Sequence, residues 1–503
     1  MRFLKIVSLF LCALMIFSLA SCVVTPSVDE NKVKEDKKTE TETIEDSDMI
    51  DTDSSVDDTE EPAGDEEDSA EDIDSSTDTE PENESEAEKD TETEKDTETE
   101  KDTETEKDTE TEEIKPVIKE YPLIKNKEAQ AKIVMGDDAS RFTLYARDRL
   151  QLSIGDLVDS SLAEEGEYSF EILIGDTGRE ESTSLMQTLA EDEYAIKLFE
   201  DKIVIVASNE AFLYEATKYF ADTYLKDPYA RVTGTDIVLA VENIDVKRAG
   251  DKSSIHYQLS KSTKPVASAT AVCTLDNQKY GVTDADPRIY RRQGGCFNGE
   301  NYYQVFISKN EEIAVLAKKN VSTGELIYAE PRVMDHANDA TYDPYNNRVI
   351  VGSGKTVWIY DADTLEYLGT QTFTHTTSKF SYCAEKHLYV LGSYYFYDDS
   401  LTYTGEYFKG SLSSLIGENN LSAQGSTCDD TFIYSLVFEK LSDGVYGCYF
   451  SVYDWYGNII AFVTVSIPGD FEPENISMVD GTLYIAACST QPVATLYKVV
   501  FDS

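Results

Sequence analysis

The chain has 503 residues, with 97 Asp and Glu against 44 Lys and Arg, and a formal net charge of −53. A surface of that sign repels phosphate backbones and anionic lipid headgroups, so the composition argues against a nucleic-acid partner. After Cys22 no segment contains 18 consecutive apolar residues, so no membrane-spanning helix is expected there.

The N-terminus has the pattern of a secretory signal peptide. Arg2 and Lys5 precede an apolar stretch at 6–20, which is too short for an ordinary membrane span. The sequence LASC at 19–22 resembles a bacterial lipobox, in which the cysteine is lipidated and becomes the new N-terminus. We therefore predict a signal peptide at 1–21, lipidation of Cys22 and a location on the extracytoplasmic face of a bacterial membrane. An ordinary secretory signal with a chance cysteine is the alternative.

Residues 22–118 are predicted to form a disordered acidic linker. Positions 29–115 hold 41 Asp and Glu against 9 Lys, and a six-residue repeat, EKDTET, begins at Glu88. Like charges at that density, with almost no aromatic residues, cannot bury enough apolar surface to offset chain entropy. Fully stretched, the linker could reach on the order of 300 Å, as a tether through a cell wall would require. Calcium capture by the carboxylates is a conceivable secondary effect.

Residues 119–248 alternate short strands with amphipathic helices. The predicted elements are a strand at 131–135, a helix at 139–151, a strand at 170–176, a helix at 184–191, a hairpin at 194–208 turning at Glu200-Asp201, and a helix that begins at Asn209. In that last helix Phe212, Ala216, Tyr219, Phe220 and Tyr224 share one face. This pattern predicts a small α/β sandwich.

Two parts of this region carry a resemblance to a known family. FEILIGDTGREES and the hairpin with its final helix make residues 130–240 similar to the accessory domain that precedes the catalytic barrel of α-glucuronidases and β-hexosaminidases. In those families the domain carries no catalytic residues, so the resemblance implies a carbohydrate context and no reaction. The barrel that would follow is absent here, because strand and helix alternation stops near Gly250.

The C-terminal half repeats a strand pattern every 40 to 50 residues. The five strand-like runs are YYQVFIS (302–308), RVIVGS (348–353), HLYVLGS (387–393), FIYSLVF (432–438) and TLYIAAC (482–488). Short strands at this period resemble the blades of quinoprotein-like and YVTN-type β-propellers. We predict an all-β five-bladed propeller at 267–503, closed by pairing of residues 267–275 with the C-terminal strand.

Aligning the five units gives the register of the innermost strands. Their last residues would be Cys296, Tyr342, Cys383, Cys428 and Val479; two positions earlier stand the small residues Gly294, Ala340, Ser381, Ser426 and Ser477; four positions earlier stand the polar residues Arg292, Asn338, Lys379, Gln424 and Asn475. Small residues fit the crowded axis of a propeller. The loops that lead into these strands would surround the channel mouth, where propellers commonly bind ligands.

We predict a polar ligand-binding funnel at that mouth. Its members would be Arg292, Gln293, His336, Asn338, Asp339, His375, Lys379 and Gln424. The stretch DHAND (335–339) also has a structural interpretation, in which Asp335 or Asn338 hydrogen-bonds loop backbone and Asp343-Pro344 begins a turn that ends at Asn346-Asn347. Flat faces for sugar stacking could come from Tyr290, Tyr302, Tyr303, Tyr394 and Tyr395, although tyrosine is also common strand filler.

Three functions remain open. The first is a non-catalytic binding module for a glycan or cell-wall polymer, expected to be monomeric. The second is a glycoside hydrolase, since five-bladed propellers resembling arabinanases use axial carboxylates; the candidate pair is Asp339 and Glu474. The third is a scaffold for protein contacts. No cofactor and no metal are expected, because the four His lack ligand spacing and the cysteines form no CxxC. The six Cys after position 22 should be buried small apolar residues.

Overall fold

The computed structural model describes residues 117–276, 291–308, 312–392, 394–408, 421–442, 445–469, 471–488 and 493–502. The predicted signal peptide, Cys22 and the acidic repeats lie outside these ranges. Within them the protein is mostly β, with several sheets and four α-helices. None of those helices is both long and apolar enough to cross a membrane.

The first part of the described chain, residues 117–261, is named the N-terminal segment. Its helices are α1 (Arg141–Val158), α2 (Glu180–Met186), α3 (Leu213–Tyr224) and α4 (Ile255–Lys261). Its strands are β1 (Lys119–Lys125), β2 (Glu128–Ala129), β3 (Lys132–Val134), β4 (Glu171–Ile174), β5 (Glu193–Leu198), β6 (Lys202–Ala207), β7 (Ala230–Val232), β8 (Ile237–Val241) and β9 (Asp245–Ala249). They form a five-stranded sheet in the order β3-β4-β6-β5-β9 and a four-stranded sheet in the order β2-β1-β8-β7.

The predicted hairpin and helix start in this segment are confirmed. β5 and β6 pair antiparallel from Tyr194↔Ala207 to Leu198↔Ile203. The Asn209 side chain accepts a hydrogen bond from the Ala211 backbone N–H at 3.0 Å and so satisfies a free donor where the helical turns begin. Helices α1 and α3 pack together, and α3 also packs on β6.

The helix predicted at 184–191 is wrong in its position. The structure has α2 at Glu180–Met186, with Glu180 and Glu181 in its first turn. Acids at that position interact favourably with the positive end of the helix dipole, a signal that the apolar periodicity did not capture. Beyond the helix, the Ala190 N–H donates to the Glu193 carboxylate at 2.7 Å, and this links the following turn to β5.

The remaining strands, within residues 266–502, form the C-terminal region. They are β10 (Val266–Asp276), β11 (Arg291–Phe297), β12 (Asn301–Ile307), β13 (Ile313–Asn320), β14 (Leu326–Tyr328), β15 (Arg332–Val333), β16 (Asp339–Asp343), β17 (Arg348–Ser353), β18 (Thr356–Asp361), β19 (Tyr367–Thr372), β20 (Phe380–Cys383), β21 (Leu388–Leu391), β22 (Tyr395–Asp398), β23 (Tyr403–Tyr407), β24 (Ser422–Cys428), β25 (Phe432–Ser442), β26 (Val445–Asp454), β27 (Ile459–Ser466), β28 (Glu472–Val479), β29 (Thr482–Cys488) and β30 (Val493–Phe501). All five predicted strand-like runs coincide with strands: β12, β17, β21, β25 and β29.

These strands form four sheets. Three of them are antiparallel runs in chain order, β11-β12-β13-β14 with β15 beside β13, β16-β17-β18-β19 and β20-β21-β22-β23. The fourth has eight strands in the order β24-β25-β26-β27-β10-β30-β29-β28. Here β10 pairs antiparallel with β30 from Ala267↔Phe501 to Asp276↔Val493. The predicted pairing of residues 267–275 with the C-terminal strand is therefore confirmed.

Five strands, β11, β16, β20, β24 and β28, contact one another in sequence, and β28 contacts β11; we call this closed set the inner ring. Each is the edge strand of its run, so it carries backbone N–H groups that no ladder satisfies. Hydroxyls of the neighbouring strand accept several of them. Thr341 accepts from the Tyr382 N–H at 3.0 Å, Thr427 from Met478 at 3.0 Å and Ser477 from Phe297 at 3.1 Å.

The N-terminal segment packs against the C-terminal region through apolar and charged contacts. Tyr145 and Ile255 belong to the same buried cluster as Phe432 and Phe450. At the edge of that cluster the Tyr145 hydroxyl donates to Asp454 at 3.2 Å. The contact brings α3 and the start of α4 over the carboxyl-terminal ends of the inner-ring strands.

The six cysteines within the described residues are free thiols, and all except the partly exposed Cys273 are buried. Cys296, Cys383, Cys428 and Cys488 each pack in hydrophobic clusters formed by neighbouring sheets. The expectation that the cysteines are buried is therefore confirmed for five of these six and not for Cys273.

Candidate functional site

The amino-terminal end of the inner ring is closed by Asp339, the first residue of β16. Its carboxylate is fully buried and accepts hydrogen bonds from the Ala340 N–H at 2.9 Å, the Phe380 N–H at 2.8 Å and the Asn475 side-chain amide at 2.7 Å. A fourth donor is the Ser426 backbone N–H. One side chain therefore joins β16 to β20, β24 and β28.

Glycines on the other strands allow this close approach. A Cβ on Gly294 of β11 would overlap the Asn338 carbonyl and the Asp339 backbone. The Gly294 N–H donates to the Asn338 carbonyl at 3.0 Å. A Cβ on Gly425 of β24 would lie 2.9 Å from the Asn475 amide nitrogen. In the row of predicted small residues, the Ser381 and Ser426 hydroxyls meet at 3.4 Å. The strands thus approach one another closely around Asp339.

Burial has the largest effect on the pKa values of the charged groups around Asp339. It raises the pKa of Asp339 to about 8, against the opposing effect of its N–H donors. Burial also lowers the pKa of Lys379 to about 8, which the charge of Asp339 opposes. The Lys379 ammonium lies 5.1 Å from the centroid of the Tyr394 ring. The other proposed catalytic carboxylate, Glu474, is 5% exposed. Both carboxylates of the candidate hydrolytic pair are therefore buried in the ring.

The stretch DHAND forms the loop that leads into β16. Asp335 and Ala337 adopt positive φ angles of 50° and 47°, and Ala337 is fully buried. The predicted turn after β16 is confirmed, because the Asn346 N–H donates to the Asp343 carboxylate at 3.1 Å and Asn347 has a φ of 47°. Asp339 therefore has a structural role. The structural interpretation of DHAND had expected such a role for Asp335 or Asn338.

The other predicted funnel residues are placed as follows. Arg292 lies on β11, with its side chain outside the described part of the structure. The Gln293 carbonyl accepts a hydrogen bond from the Gln304 side chain, and the Gln424 side chain donates to Glu472 at 3.3 Å. His336 and Asn338 are half-buried in the loop before β16. Among the proposed stacking tyrosines, Tyr302, Tyr303 and Tyr394 are buried and present no open face, while Tyr290 is outside the described residues. The rings of Tyr302, Tyr303 and Tyr394 pack inside the protein.

His375 instead belongs to an aromatic stack that the sequence reading identified only in part. Its ring lies parallel to Tyr395, with centroids 3.5 Å apart, and Tyr395 in turn stacks on Tyr407 at 5.3 Å. A hydrogen bond of 2.8 Å links His375 Nδ1 to the Tyr397 hydroxyl. The register Phe380↔Leu391↔Tyr395↔Tyr407 puts the stack on the outer strands β22 and β23, level with the amino-terminal end of the inner strand β20. Tyr407 is 52% exposed, so the stack reaches solvent.

A cavity of about 670 Å³ lies at the opposite end of the inner ring, and we call it the carboxyl-end cavity. Its walls come from α3 and the start of α4 on one side and from the last residues of the inner-ring strands on the other. The latter include four residues predicted to end those strands, Cys296, Tyr342, Cys428 and Val479. The eight residues predicted for the funnel do not line this cavity.

Two consecutive acids of this cavity have different environments. Asp430 is 8% exposed and accepts from the Tyr214 hydroxyl at 2.6 Å and from Arg149 at 3.0 Å, contacts that hold its pKa below the ordinary value. Asp429 accepts from the Thr431 and Phe432 N–H groups at 2.8 and 2.7 Å and from the Tyr434 hydroxyl at 2.7 Å. Burial and the charge of Asp430 raise the pKa of Asp429 to about 7.

His256 lines the same cavity from α4. Its ring stacks on Tyr214 with centroids 4.0 Å apart and lies 5.0 Å from Phe432. Burial lowers its pKa to about 4, so the imidazole is neutral at pH 7. Its Nε2 has no hydrogen-bond partner within the described residues.

Sequence reasoning missed this cavity, although two signals were present. Asp429 and Asp430 are adjacent acids directly before β25, and His256 is one of the four His that lack ligand spacing. Their meeting depends on the docking of the N-terminal segment, which neither pattern encodes. Among the described residues no group of three or more His, Cys, Asp or Glu is arranged to hold a metal ion.

Comparisons with known proteins give little further information. No protein-family model matches the sequence, and no curated protein matches it either. Among solved structures, the chain is similar to the glutaminyl cyclase of Myxococcus xanthus, at 9% sequence identity and a TM-score of 0.34. The match covers 48% of this chain and all of the cyclase. A likeness at this level carries no argument about function.

Proposed function

We propose that this protein is a lipid-anchored surface protein that binds a carbohydrate on the face of the C-terminal region where the inner-ring strands begin. In this proposal residues 119–248 form a companion α/β domain, and residues 267–503 form a five-bladed propeller. The five antiparallel runs whose first strands make a closed ring support the propeller. The signal sequence and acidic linker support display away from the membrane, through a lipid on Cys22.

The observation that carries the proposal is the stack of His375, Tyr395 and Tyr407. Sugar rings pack their C–H faces on aromatic rings, while polar groups at the edge bind hydroxyls. Tyr407 offers a half-exposed ring, and the exposed Thr374 side chain lies 3.0 Å from the Tyr397 hydroxyl, which also hydrogen-bonds His375 of the stack. An acidic surface also suits a neutral ligand better than an anionic one.

The binding proposal is tested with Tyr407→Ala on a panel of wall glycans and plant polysaccharides. We expect wild-type protein to bind at least one polysaccharide and the variant to lose tenfold or more in affinity, because the exposed stacking face is gone. The matched control is Tyr345→Ala, since Tyr345 is 67% exposed but lies at the other end of the ring. If neither variant changes the affinity, or if wild-type protein binds no glycan, the proposal is wrong.

The anchor is tested with Cys22→Ala. We expect this variant to appear in the medium, because the acyl chains that hold the protein on the membrane have lost their attachment point. Cys12→Ala is the matched control, since Cys12 lies inside the predicted signal peptide and its loss leaves the lipidated residue intact. Membrane retention of the Cys22→Ala protein would contradict lipidation at this position.

A further inference from the structure

The carboxyl-end cavity contains a carboxylate that the protein itself does not neutralise. Among the described residues, the hydrogen-bond donors to the Asp429 carboxylate are two backbone N–H groups and the Tyr434 hydroxyl, which are all uncharged. Within the described part of the chain no Lys, Arg or His forms an ion pair with it. Its neighbour Asp430 differs, because Arg149 lies 3.0 Å from that carboxylate. Asp429 is half-buried, and a charge partly removed from water without a countercharge is costly, so its carboxylate is a favourable place for a cation.

A second and independent feature is the imidazole of His256. The side chain is 6% exposed, lines the cavity, and has an Nε2 atom without a hydrogen-bond partner. Buried polar atoms in folded proteins are nearly always paired, with protein, water or ligand. A neutral imidazole offers one acceptor nitrogen, and an ammonium N–H is a matching donor.

Aromatic side chains complete the same wall. The Tyr214 ring lies parallel to His256 and its hydroxyl donates to Asp430, so His256, Tyr214 and the acid pair are contiguous. Tyr342 and Tyr382 line the wall formed by the inner ring. Faces of tyrosine rings attract cations when water is excluded.

The charges near the cavity exclude the opposite class of ligand. Glu215, Asp251, Glu385 and Asp480 also line it, whereas its one lysine, Lys218, is paired with Asp222 at 2.7 Å. An anion would meet like charges on both walls. We propose that the carboxyl-end cavity is a second ligand site, separate from the glycan site, and that it binds a small organic molecule through a primary ammonium group at Asp429 and His256.

The first test uses matched pairs of probes that differ only in the amine. The full chain, purified in detergent, is titrated calorimetrically with 1,4-diaminobutane against 1,4-butanediol and with D-glucosamine against D-glucose. We expect at least one amine to bind and to raise the melting temperature by several degrees, while its neutral counterpart does neither. Equal binding of an amine and its neutral partner, or no binding of either amine at millimolar concentration, would overturn the proposal.

Two substitutions then locate the amine. Asp429→Asn removes the charge and should weaken amine binding tenfold or more, whereas Asp137→Asn, at an exposed acid remote from the cavity, should leave it unchanged. Because the Asp429 carboxylate also accepts from the Thr431 N–H, a loss of stability in this variant would have a second cause. His256→Phe therefore provides a second probe, since it keeps the ring that stacks on Tyr214 and removes both nitrogens.

For His256→Phe we expect weaker amine binding with an unchanged or higher melting temperature. Amine binding that survives in both folded variants would place the ligand elsewhere and refute the assignment. Tyr407→Ala separates this site from the proposed glycan site, because it should remove glycan binding and leave amine binding at its wild-type strength. Loss of both ligands in that variant would contradict the separation of the two sites.

Discussion

The two ends of the inner ring are built from the same five strands but use their polar side chains differently. At the amino-terminal end the Asp339 carboxylate accepts hydrogen bonds from donors on its own and three other strands, and this holds the strands together. At the carboxyl-terminal end the strands border a cavity of about 670 Å³. There the Asp429 carboxylate accepts hydrogen bonds from two N–H groups of its own turn and from the Tyr434 hydroxyl of the adjacent strand β25.

This difference separates a structural carboxylate from a carboxylate that is available to a ligand. Asp339 and Asp429 are both surrounded by protein, and burial raises the pKa of both. A raised pKa therefore does not distinguish the two residues. Their exposure to the cavity does. Asp339 is fully covered by strands, whereas Asp429 keeps part of its surface on a cavity wall.

Removal of the Asp339 carboxylate should have the largest effect on stability. Asp339→Ala leaves three backbone N–H groups and the Asn475 amide without their acceptor, and each buried unpaired donor costs roughly 1–3 kcal/mol. We expect the free energy of unfolding to fall by about 4 kcal/mol or more, measured by urea denaturation. Asp335→Asn, an exposed change in the same loop that keeps a residue tolerant of positive φ, should be nearly neutral. A small effect of Asp339→Ala would show that the inner ring is stable without this carboxylate.

Loss of Asp430 should weaken the contact between the N-terminal segment and the ring. Asp430→Ala leaves the Arg149 guanidinium, 3.0 Å from the carboxylate, without its closest acid. Breaking a buried pair costs about 3–5 kcal/mol, and we expect a value near 3 kcal/mol because Asp222 remains 3.7 Å from Arg149. Arg149→Met in the Asp430→Ala background should restore part of the loss, since no unpaired charge remains. If the double variant is no more stable than Asp430→Ala, the unpaired charge of Arg149 is not the cause of the lost stability.

The sequence predicts the strands of this region well and the site poorly, for physical reasons. A strand such as β17 is encoded locally, by a polar turn followed by β-branched residues, and its alternation fixes which side chains face inward. The small residues Ser381 and Ser426 are found by aligning repeats, because every unit meets the same crowded axis. Asp339 has no such local signal, since its donors Phe380 and Asn475 are 41 and 136 residues away along the chain.

The carboxyl-end cavity is harder still to predict from sequence. It exists because Tyr214 and His256 of the N-terminal segment are held opposite Asp429, and that depends on packing of Tyr145 and Ile255 in a shared core. Family resemblance identified the segment as a companion domain but gave no surface for its docking. A ligand site formed between two regions is therefore not visible in the pattern of either one.

The buried imidazole should give the protein a measurable acid sensitivity. His256 has a folded-state pKa of about 4, below its ordinary value near 6.5, so the stability it contributes is complete above pH 6.5 and is lost as the pH falls toward 4. Between pH 6.5 and 5 the loss should be about 2 kcal/mol. His256→Phe lacks this proton site, so its unfolding free energy should fall less over that interval. Asp339 and Asp429 are present in both proteins, and their opposite contributions cancel in the difference. Parallel curves for the two proteins would contradict a lowered pKa.

The smallest change in stability is expected directly beside the largest. In the double variant His336→Ala and Asn338→Ala, both positions are half-buried and neither has a positive φ, so alanine fits the backbone. The link from the Gly294 N–H to the Asn338 carbonyl is a backbone bond and is retained. We therefore expect the free energy of unfolding to stay within about 1 kcal/mol of wild type, since both side chains are only half-buried and the backbone link is kept. If these side chains belong to the proposed glycan site, polysaccharide affinity should fall while the melting curve stays in place. A lowered melting temperature with unchanged affinity would give the whole of DHAND the structural role that Asp339 already has.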